Sequence, residues 1–500
     1  MSELLCGLDI GTSSTKGILA TPHGNIVARA ERPHGLSLPR PGWAEHDAET
    51  IWWADAAAIL RELTASADGH IAAVGVSGIG PCLLPVDSEE RPLRPAILYG
   101  IDTRAEAEIV ELTARYGAER VLARGGSALT SQAIGPKMLW LQHAEPEIWS
   151  RTRRFYMASS FLVSRLCGAY VLDHHSASQC DPMYDITTGT WASDWAAEVA
   201  PGLELPELLW SSEIAGRVTP VAAEATGLPA GIPVVAGTID AWAEAASVGV
   251  RAAGDLMLMY GTTMFLVEVV EGFKPDRTMW GTAGVTPGSR TLAAGMSTSG
   301  ALTGWFRTIV GEPPFERLVE EAAAVGPGSG GLVSLPYFAG ERTPLFDPSA
   351  RGLILGLTLS HSRGHIYRSL LEGTAFGVRH ILEALEAAGE PPRRLVAVGG
   401  GTKGGLWTQI VSDVTGLPQQ IPAVTIGAAY GDALMAGIGT GLVAPDASWD
   451  RIAEVVEPDS GNRALYDDMY AIYRSLYPAT KDQAHKLAAL QERAARPPEP

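Results

Sequence analysis

The pattern of apolar and polar positions predicts a chain that opens with an antiparallel meander. Apolar residues dominate positions 4–10, a second stretch near 17–21 and a third from Ile26, with glycine, hydroxyl and proline residues between them. Apolar residues then recur at helical spacing after Asp47, which is placed to cap the helix, and a strand follows over 70–78. Strand and helix patterns alternate from there on, which is typical of α/β domains.

The opening pattern occurs a second time at 255–270, where an apolar strand, a Gly-Thr-Thr turn and another apolar strand follow one another. A chain of 500 residues is too long to fold around a single hydrophobic core. We therefore predict two α/β domains, at 1–248 and 249–450, and a helical tail at 451–500. The last residues of the tail are polar and rich in proline, and they are expected to be disordered.

The charge balance argues against nucleic acid and membranes as partners. With 38 basic and 56 acidic residues, the formal net charge of −18 would repel both a phosphate backbone and an anionic bilayer. The four cysteines show no CxxC pairing, so neither a disulfide framework nor a zinc site is indicated. A glutamate stands where a signal peptide would carry basic residues. We therefore expect a cytoplasmic protein.

The turn after the first strand has the composition of a phosphate site. In "GLDIGTSSTKG", the hydroxyls of Thr12 and Ser13 and the backbone N–H groups of a glycine-rich turn can converge on phosphate oxygens. Asp9, at the end of the strand, is placed to meet a Mg²⁺ ion carried by such phosphates. A polar hairpin without a ligand is the alternative. A Walker P-loop is excluded, because the motif continues as strand and turn instead of opening a helix.

A second turn of the same kind strengthens the phosphate interpretation. Gly261 and Thr262 lie in it, and two such hairpins in separate domains could hold one polyphosphate from both sides. A third glycine cluster, at 399–401, lies between a predicted strand and a predicted helix. A dinucleotide fingerprint would need an acidic residue about twenty positions further on, and Asp413 falls too early. Close approach of the backbone to a flat base fits this cluster better.

A candidate proton acceptor follows another apolar strand. Asp240 is predicted at the carboxyl end of that strand and at the start of a helix, and this edge of the sheet is where ligands bind in α/β folds. An aspartate in this place could take the proton of an acceptor hydroxyl. The alternative is that Asp240 only caps the helix.

Together these motifs resemble the FGGY family of carbohydrate kinases over nearly the whole chain. "DIGTSSTKG", "YGTTMF", "VGGGTKGGLW" and "AGTIDA" look like the family's two phosphate motifs, its adenosine motif and the segment that carries its catalytic aspartate. The stretch 352–373 is similar to a family signature at almost every constrained position, with Leu370 as the exception. "LPYFAGERTP" and "PGWAEHD" look most like the xylulokinase branch.

The resemblance implies an α/β fold of two actin/hexokinase-like (ribonuclease-H-like) domains with a catalytic cleft between them. It also implies ATP as co-substrate, Mg²⁺ as cofactor and a homodimer as the assembly. Asp240 would be the catalytic base and Asp9 would lie near the metal. The residues expected to bind the nucleotide are Thr12, Ser13, Gly261, Thr262, Gly400 and Gly401. The residues expected to contact the sugar are Trp43, Tyr99, Asp102, Arg104 and Phe265.

The resemblance further implies phosphoryl transfer to a hydroxyl of a small sugar, a ketose such as xylulose or a related pentulose. The chain departs from the xylulokinase pattern at two positions expected to face the sugar: Pro81 falls within a usual Met-His-Gly stretch, and Ala241 replaces an asparagine. A lost hydrogen-bond partner weakens discrimination between substrates. Ribulose, erythrulose and gluconate are therefore alternatives. The Asn-Gln-Arg-Glu run of glycerol kinases is absent, which argues against glycerol.

Two other classes of protein stay open at this point. An actin-like or chaperone-like ATPase without a sugar substrate would share the hairpins but would lack the signature at 352–373. A nicotinamide-dependent dehydrogenase would depend on the glycine cluster at 399–404 alone.

Overall fold

The computed structural model describes residues 2–389, 391–424 and 426–495, and the chain divides into two compact units. The predicted two-domain α/β fold is confirmed. Each unit is built from separate segments of the chain, and the predicted limits near 248 and 450 stay a prediction. The first unit comprises Met1–Arg251, Pro275–Thr291 and Ile426–Asp450. The second unit comprises Ala252–Lys274, Leu292–Thr425 and Arg451–Pro500.

Strands and helices alternate along the chain, with a π-helical turn at Ala48–Trp53 before the first α-helix. The strands are β1 (Glu3–Ile10), β2 (Ser14–Ala20), β3 (Ile26–Pro33), β4 (Glu45–His46), β5 (His70–Gly78), β6 (Leu84–Val86), β7 (Ala96–Ile97), β8 (Arg154–Tyr156), β9 (Val171–Asp173), β10 (Tyr184–Asp185), β11 (Thr190–Trp191), β12 (Glu207–Leu209), β13 (Ile214–Arg217), β14 (Pro233–Val235), β15 (Thr238–Ile239), β16 (Asp255–Tyr260), β17 (Met264–Val270), β18 (Trp280–Ala283), β19 (Arg290–Met296), β20 (Val333–Leu335), β21 (Leu353–Leu355), β22 (Arg394–Val398), β23 (Gln419–Pro422) and β24 (Ile452–Val456). The helices are α1 (Ala54–Ala65), α2 (Glu106–Tyr116), α3 (Ala118–Gly125), α4 (Ile134–Ala144), α5 (Pro146–Arg151), α6 (Ala158–Cys167), α7 (His174–Ser178), α8 (Ser193–Val199), α9 (Pro220–Thr226), α10 (Asp240–Ser247), α11 (Gly300–Ile309), α12 (Phe315–Val325), α13 (Arg363–Ala388), α14 (Leu406–Thr415), α15 (Ala428–Gly439) and α16 (Arg463–Ala495).

The central sheet of the first unit has the strand order β13-β14-β5-β1-β2-β3, and β15 also pairs with β5. The predicted antiparallel meander is confirmed as β1, β2 and β3, while β5 lies parallel to β1. Trp52, Ile59 and Phe161 are buried in the hydrophobic core of this unit. Strand β1 is an inner strand and is buried along nearly its whole length. The polar residue near its carboxyl end, Asp9, is therefore held in a fixed place where the strands of the sheet end.

Helix α15 packs on this sheet at contacts that only glycine permits. A Cβ atom on Gly7 would lie 1.9 Å from the carbonyl oxygen of Ala429, and one on Gly75 would lie 2.0 Å from that of Asp432. Any larger residue at either position would collide with the backbone of the helix. The absence of these two side chains therefore sets how closely α15 approaches β1 and β5.

The sheet of the second unit includes the strand order β19-β17-β16-β22-β23-β24. Strands β16 and β17 form the hairpin predicted at 255–270, and β22 lies parallel to β16. The strand directions repeat those of the first unit: a hairpin, two further strands parallel to its first strand, and an antiparallel edge strand. The predicted duplication of one construction is therefore confirmed.

The last segment of the chain contains β24 and the long helix α16. The expectation of disorder at the end of the chain concerns residues 496–500, which lie outside the described residues. Within the described part of the chain, no helix is both long enough and apolar enough to cross a membrane.

Candidate active site

The first predicted phosphate turn lies between β1 and β2 and is closed by a hydrogen bond from the Gly11 N–H to the Ser14 carbonyl, 2.9 Å. The Thr12 hydroxyl lies 3.1 Å from the hydroxyl of Tyr99. Ser13 is exposed on the same turn. The first unit thus brings a predicted nucleotide residue, Thr12, into contact with a predicted sugar residue, Tyr99.

Asp9 belongs to a buried group of polar residues on β1, β5 and α15. It pairs in register with Ser77, whose hydroxyl lies 3.1 Å from Asp9 Oδ1 and 2.7 Å from Asp432 Oδ2. Burial raises the pKa of Asp9 to about 6, and the Ser77 hydroxyl and Lys16 act in the opposite direction. Asp432 is fully buried, and its Oδ1 atom has no hydrogen-bond partner among the described residues. The sequence predicted Asp9, but the contribution of Asp432 was missed.

Asp240 is the first residue of α10 and follows β15 directly, as predicted. Its Oδ1 atom accepts a hydrogen bond from the adjacent Ala241 N–H, 2.7 Å, whereas Ile239 holds the cap position, so Asp240 lies in the first turn of the helix and is not its cap. Burial raises the pKa of Asp240 well above its ordinary range; the charges of Asp9 and Glu244 raise it further, and the Ala241 N–H lowers it. The first unit therefore brings the two predicted carboxylates, Asp9 and Asp240, within electrostatic reach of each other.

Two predicted sugar residues, Asp102 and Arg104, form a buried ion pair with Nη2 of Arg104 2.7 Å from Oδ2 of Asp102. Nη1 of Arg104 lies 2.8 Å from Glu45, and the guanidinium carbon lies 4.0 Å from the ring centre of Trp43. Oδ2 of Asp102 also accepts a hydrogen bond from the Ala44 N–H, 2.7 Å. These contacts hold the loop that carries Trp43, and a contact of this group with sugar stays a prediction.

Trp140 and Arg94 extend this cluster and were missed by the sequence analysis. The ring of Trp140 lies 5.3 Å from that of Trp43, nearly perpendicular to it, and the Arg104 guanidinium lies 5.0 Å from the Trp140 ring. Arg94 forms an ion pair with Glu45 and lies 5.5 Å from the same ring. The stretch "KMLWL" could have indicated Trp140, because it places a lysine and a tryptophan among apolar residues of one helix.

The second predicted phosphate turn lies between β16 and β17 and is held by the amino terminus of α11. The N–H of Gly300 donates to the carbonyl of Gly261, 2.9 Å. The N–H groups of Ser299 and Ala301 donate to the carbonyl of Thr262, at 3.2 and 3.0 Å. Sequence reasoning identified the turn but missed the helix that fixes it.

Gly400 and Gly401 lie in a short 3₁₀ turn between β22 and α14. A Cβ atom on Gly401 would lie 2.8 Å from the Cβ of Tyr260 and 3.0 Å from the ring of Trp407, so packing within the second unit already requires this glycine. A Cβ atom on Gly400 would meet no described atom within 4 Å. Phe265, the remaining predicted sugar residue, is half-buried on β17.

Comparison with known proteins accounts for nearly the whole chain. The model of the N-terminal domain of the FGGY family of carbohydrate kinases matches residues 4–249, and that of the C-terminal domain matches residues 256–440. The xylulose kinase of Escherichia coli (strain K12) is 30% identical over 495 residues, which cover 94% of this chain and 98% of that protein. The glycerol kinase of Nocardia farcinica is 31% identical over 475 residues, 90% of this chain and 93% of that protein.

One solved structure has the same fold as this chain over nearly its whole length. The crystal structure of xylulose kinase from Rhodospirillum rubrum matches with a TM-score of 0.90 at 33% identity, covering 96% of this chain and 100% of that one. The family resemblance read from the sequence motifs is confirmed by the matching models, the relatives and this structure. The chain belongs to the FGGY family of carbohydrate kinases.

Proposed function

We propose that this chain transfers the γ-phosphoryl group of ATP to a hydroxyl of a small ketose, xylulose or a related pentulose. The observation that carries the proposal is that Asp9, at the end of β1, and Asp240, directly after β15, are buried within electrostatic reach of each other in the unit that also holds the turn at Thr12. Phosphoryl transfer needs a proton acceptor and groups that position phosphate, and these residues are of both kinds. The similarity to xylulose kinases of Escherichia coli and Rhodospirillum rubrum supports a ketose as the acceptor.

Asp240 is the general base in this proposal. Its ionised carboxylate accepts the proton of the attacking hydroxyl as the oxygen–phosphorus bond forms and the bond from phosphorus to ADP breaks. The raised pKa makes this carboxylate a stronger base than an exposed aspartate, which suits proton transfer near neutral pH. The residues proposed to bind the nucleotide are Thr12, Ser13, Gly261, Thr262, Gly400 and Gly401.

Asp9 is proposed to lie next to Mg²⁺, and its chemistry fits that ion. Mg²⁺ prefers oxygen ligands and is commonly bound by one or two carboxylates together with substrate phosphates. Burial opposes the negative charge of Asp9, and a cation beside the carboxylate would favour its ionised form. When bound, the ion would neutralise negative charge on the phosphates.

The residues proposed to contact the sugar are Trp43, Tyr99, Asp102, Arg104 and Phe265. Cys82 is fully buried, and its thiol pKa is raised by burial and by the charge of Asp240, so this side chain lies near the proposed base. A thiol is a weak hydrogen-bond partner. Since Pro81, the adjacent Cys82 and Ala241 offer no strong polar contact, we expect a pocket that tolerates more than one ketose. The similarity to a glycerol kinase makes polyols a necessary comparison.

An ADP-release assay over pentuloses, hexuloses, tetruloses, polyols and aldonates tests the acceptor. We expect the highest kcat/KM with a pentulose, and activity restricted to aldonates or polyols would contradict the proposal.

We expect Asp240→Asn to lower kcat at least about a hundredfold while ADP still binds, because it removes the proton acceptor and little else. The matched control is Asp68→Asn, an exposed aspartate of the same unit. Near-normal turnover of Asp240→Asn would refute the role of this residue.

The proposal includes the homodimer that the family resemblance implies and the cytoplasmic location expected from the cysteines and the N-terminal residues. Sedimentation of the purified chain tests the assembly, and a monomer at micromolar concentration would contradict it.

A further inference from the structure

One residue, His34, holds two carbonyl groups of the first phosphate turn. Its backbone N–H donates to the carbonyl of Ser13, 2.9 Å, and its Nε2 atom donates to the carbonyl of Gly11, 3.0 Å. The N–H of a trans peptide points away from its C=O. Since the Gly11 carbonyl is directed at His34, the N–H of the same peptide, which belongs to Thr12, points to the opposite side of the turn.

The second ring nitrogen of His34 faces a carboxylate. Nδ1 lies 2.9 Å from Oδ2 of Asp55 on α1, and the two side chains are 6% and 19% exposed. A carbonyl oxygen and an ionised carboxylate oxygen can only accept hydrogen bonds. Nε2 therefore carries a proton and donates it to the Gly11 carbonyl, and Asp55 holds the other side of the ring from behind the turn.

A second histidine packs against His34. The rings of His34 and His46 meet edge to face, with centres 5.1 Å apart, and Nδ1 of His46 accepts a hydrogen bond from Nε1 of Trp52, 3.2 Å. Burial, and next to it the neighbouring His34, lower the pKa of His46 to about 4, against the effect of a backbone hydrogen bond with Thr12. His46 is therefore neutral near pH 7 and packs against the His34 ring as an uncharged group.

We propose that His34 and Asp55 are positioning residues for the nucleotide phosphates. The pair fixes the Gly11 peptide so that the Thr12 N–H is presented to a phosphate oxygen. An N–H group that is already oriented strengthens the binding of an anion at the turn. This inference rests on the proposed function, because it assigns the anion to the β- or γ-phosphate of ATP.

Two substitutions test the two contacts of the ring. Asp55→Asn removes the carboxylate that holds the ring in place and keeps the His34 side chain. His34→Gln removes the ring that lies between Asp55 and the Gly11 carbonyl. Titration calorimetry with MgADP measures binding, and steady-state kinetics with the preferred sugar measure kcat and both KM values. The matched control is His70→Gln, which breaks an exposed histidine–carboxylate pair with Glu3 at the opposite end of β1 and β5.

We expect the Kd for MgADP to rise about tenfold in His34→Gln and about three- to tenfold in Asp55→Asn, the scale of one charge-assisted hydrogen bond. We expect kcat at saturating MgATP and the KM for sugar to stay within about twofold of the wild type. An unchanged Kd for MgADP together with an unchanged KM for MgATP in both variants overturns the proposal. Equal losses in nucleotide binding, sugar KM and thermal stability also overturn it, because they indicate a merely structural role. If the wild-type chain itself fails to bind MgADP, the proposed function fails with it.

Discussion

Replacing Glu244 should move the acid limb of the pH–rate profile, because this carboxyl raises the pKa of the proposed base. Asp240 and Glu244 lie at positions i and i+4 of α10, where Cβ atoms are about 5–6 Å apart. At roughly 6 Å and an effective dielectric constant of about 20, two like charges repel by about 2.8 kcal/mol, or about two pH units. Burial raises the pKa of Glu244 itself to about 7, so this residue is only partly ionised near neutrality.

The shift expected in Glu244→Gln is therefore smaller, about 0.5–1 pH unit. Its sign follows from the chemistry: the base acts when ionised, and removing a nearby negative charge favours the ionised form of Asp240. The acid limb of kcat/KM should thus move to lower pH. An ADP-release assay from pH 5.5 to 9 at saturating MgATP measures it, with Glu224→Gln, an exposed residue of the same unit, as the control. An unmoved limb, or one that moves to higher pH, would refute the electrostatic argument.

Two further predictions concern stability. Burial raises the pKa of Glu341 to about 8, so the folded state holds the Glu341 proton more tightly than the unfolded state does. The stability that this bound proton contributes is complete below about pH 4.5 and is lost as pH rises through about 8. Glu341→Gln should flatten the fall in Tm over that range, and an unchanged slope would count against the shifted pKa. Gly75→Ala should lower the unfolding free energy by at least about 2 kcal/mol, because its Cβ would lie 2.0 Å from the carbonyl oxygen of Asp432. Denaturant unfolding tests this against Gly272→Ala, where a Cβ meets no described atom within 4 Å.

The sequence was a reliable guide wherever the determining contacts are local. Asp47 caps the helical turn after it as predicted, since its side chain accepts hydrogen bonds from the N–H groups of Glu49 and Thr50. Both hairpins and the strand–helix junction at Asp240 were also predicted correctly, because each depends on neighbouring residues. In each of these cases, the residues that form the strand and those that form the turn lie within a few positions of one another in the sequence.

The sequence was a poor guide where distant segments meet. The carboxyl of Asp432 reaches Ser77, and Ser77 reaches Asp9, but nothing in the local pattern of the helix that carries Asp432 indicates a polar partner. Asp102 and Arg104 were interpreted as sugar residues from the family resemblance alone. In the structure they form an ion pair that also holds the loop of Trp43, a contact between segments about 60 residues apart that local periodicity does not encode.

The late position of α15 has a consequence for synthesis. The helix that covers β1 and β5 at Gly7 and Gly75 begins at Ala428, so a ribosome has made most of the protein before the first unit can acquire that cover. Until then the nascent chain exposes an apolar sheet face to water, a surface that chaperones bind and that promotes aggregation. An expression clone that stops at residue 248 would leave this face bare permanently, and one intended to yield the first unit alone has to supply residues 275–291 and 426–450 as well.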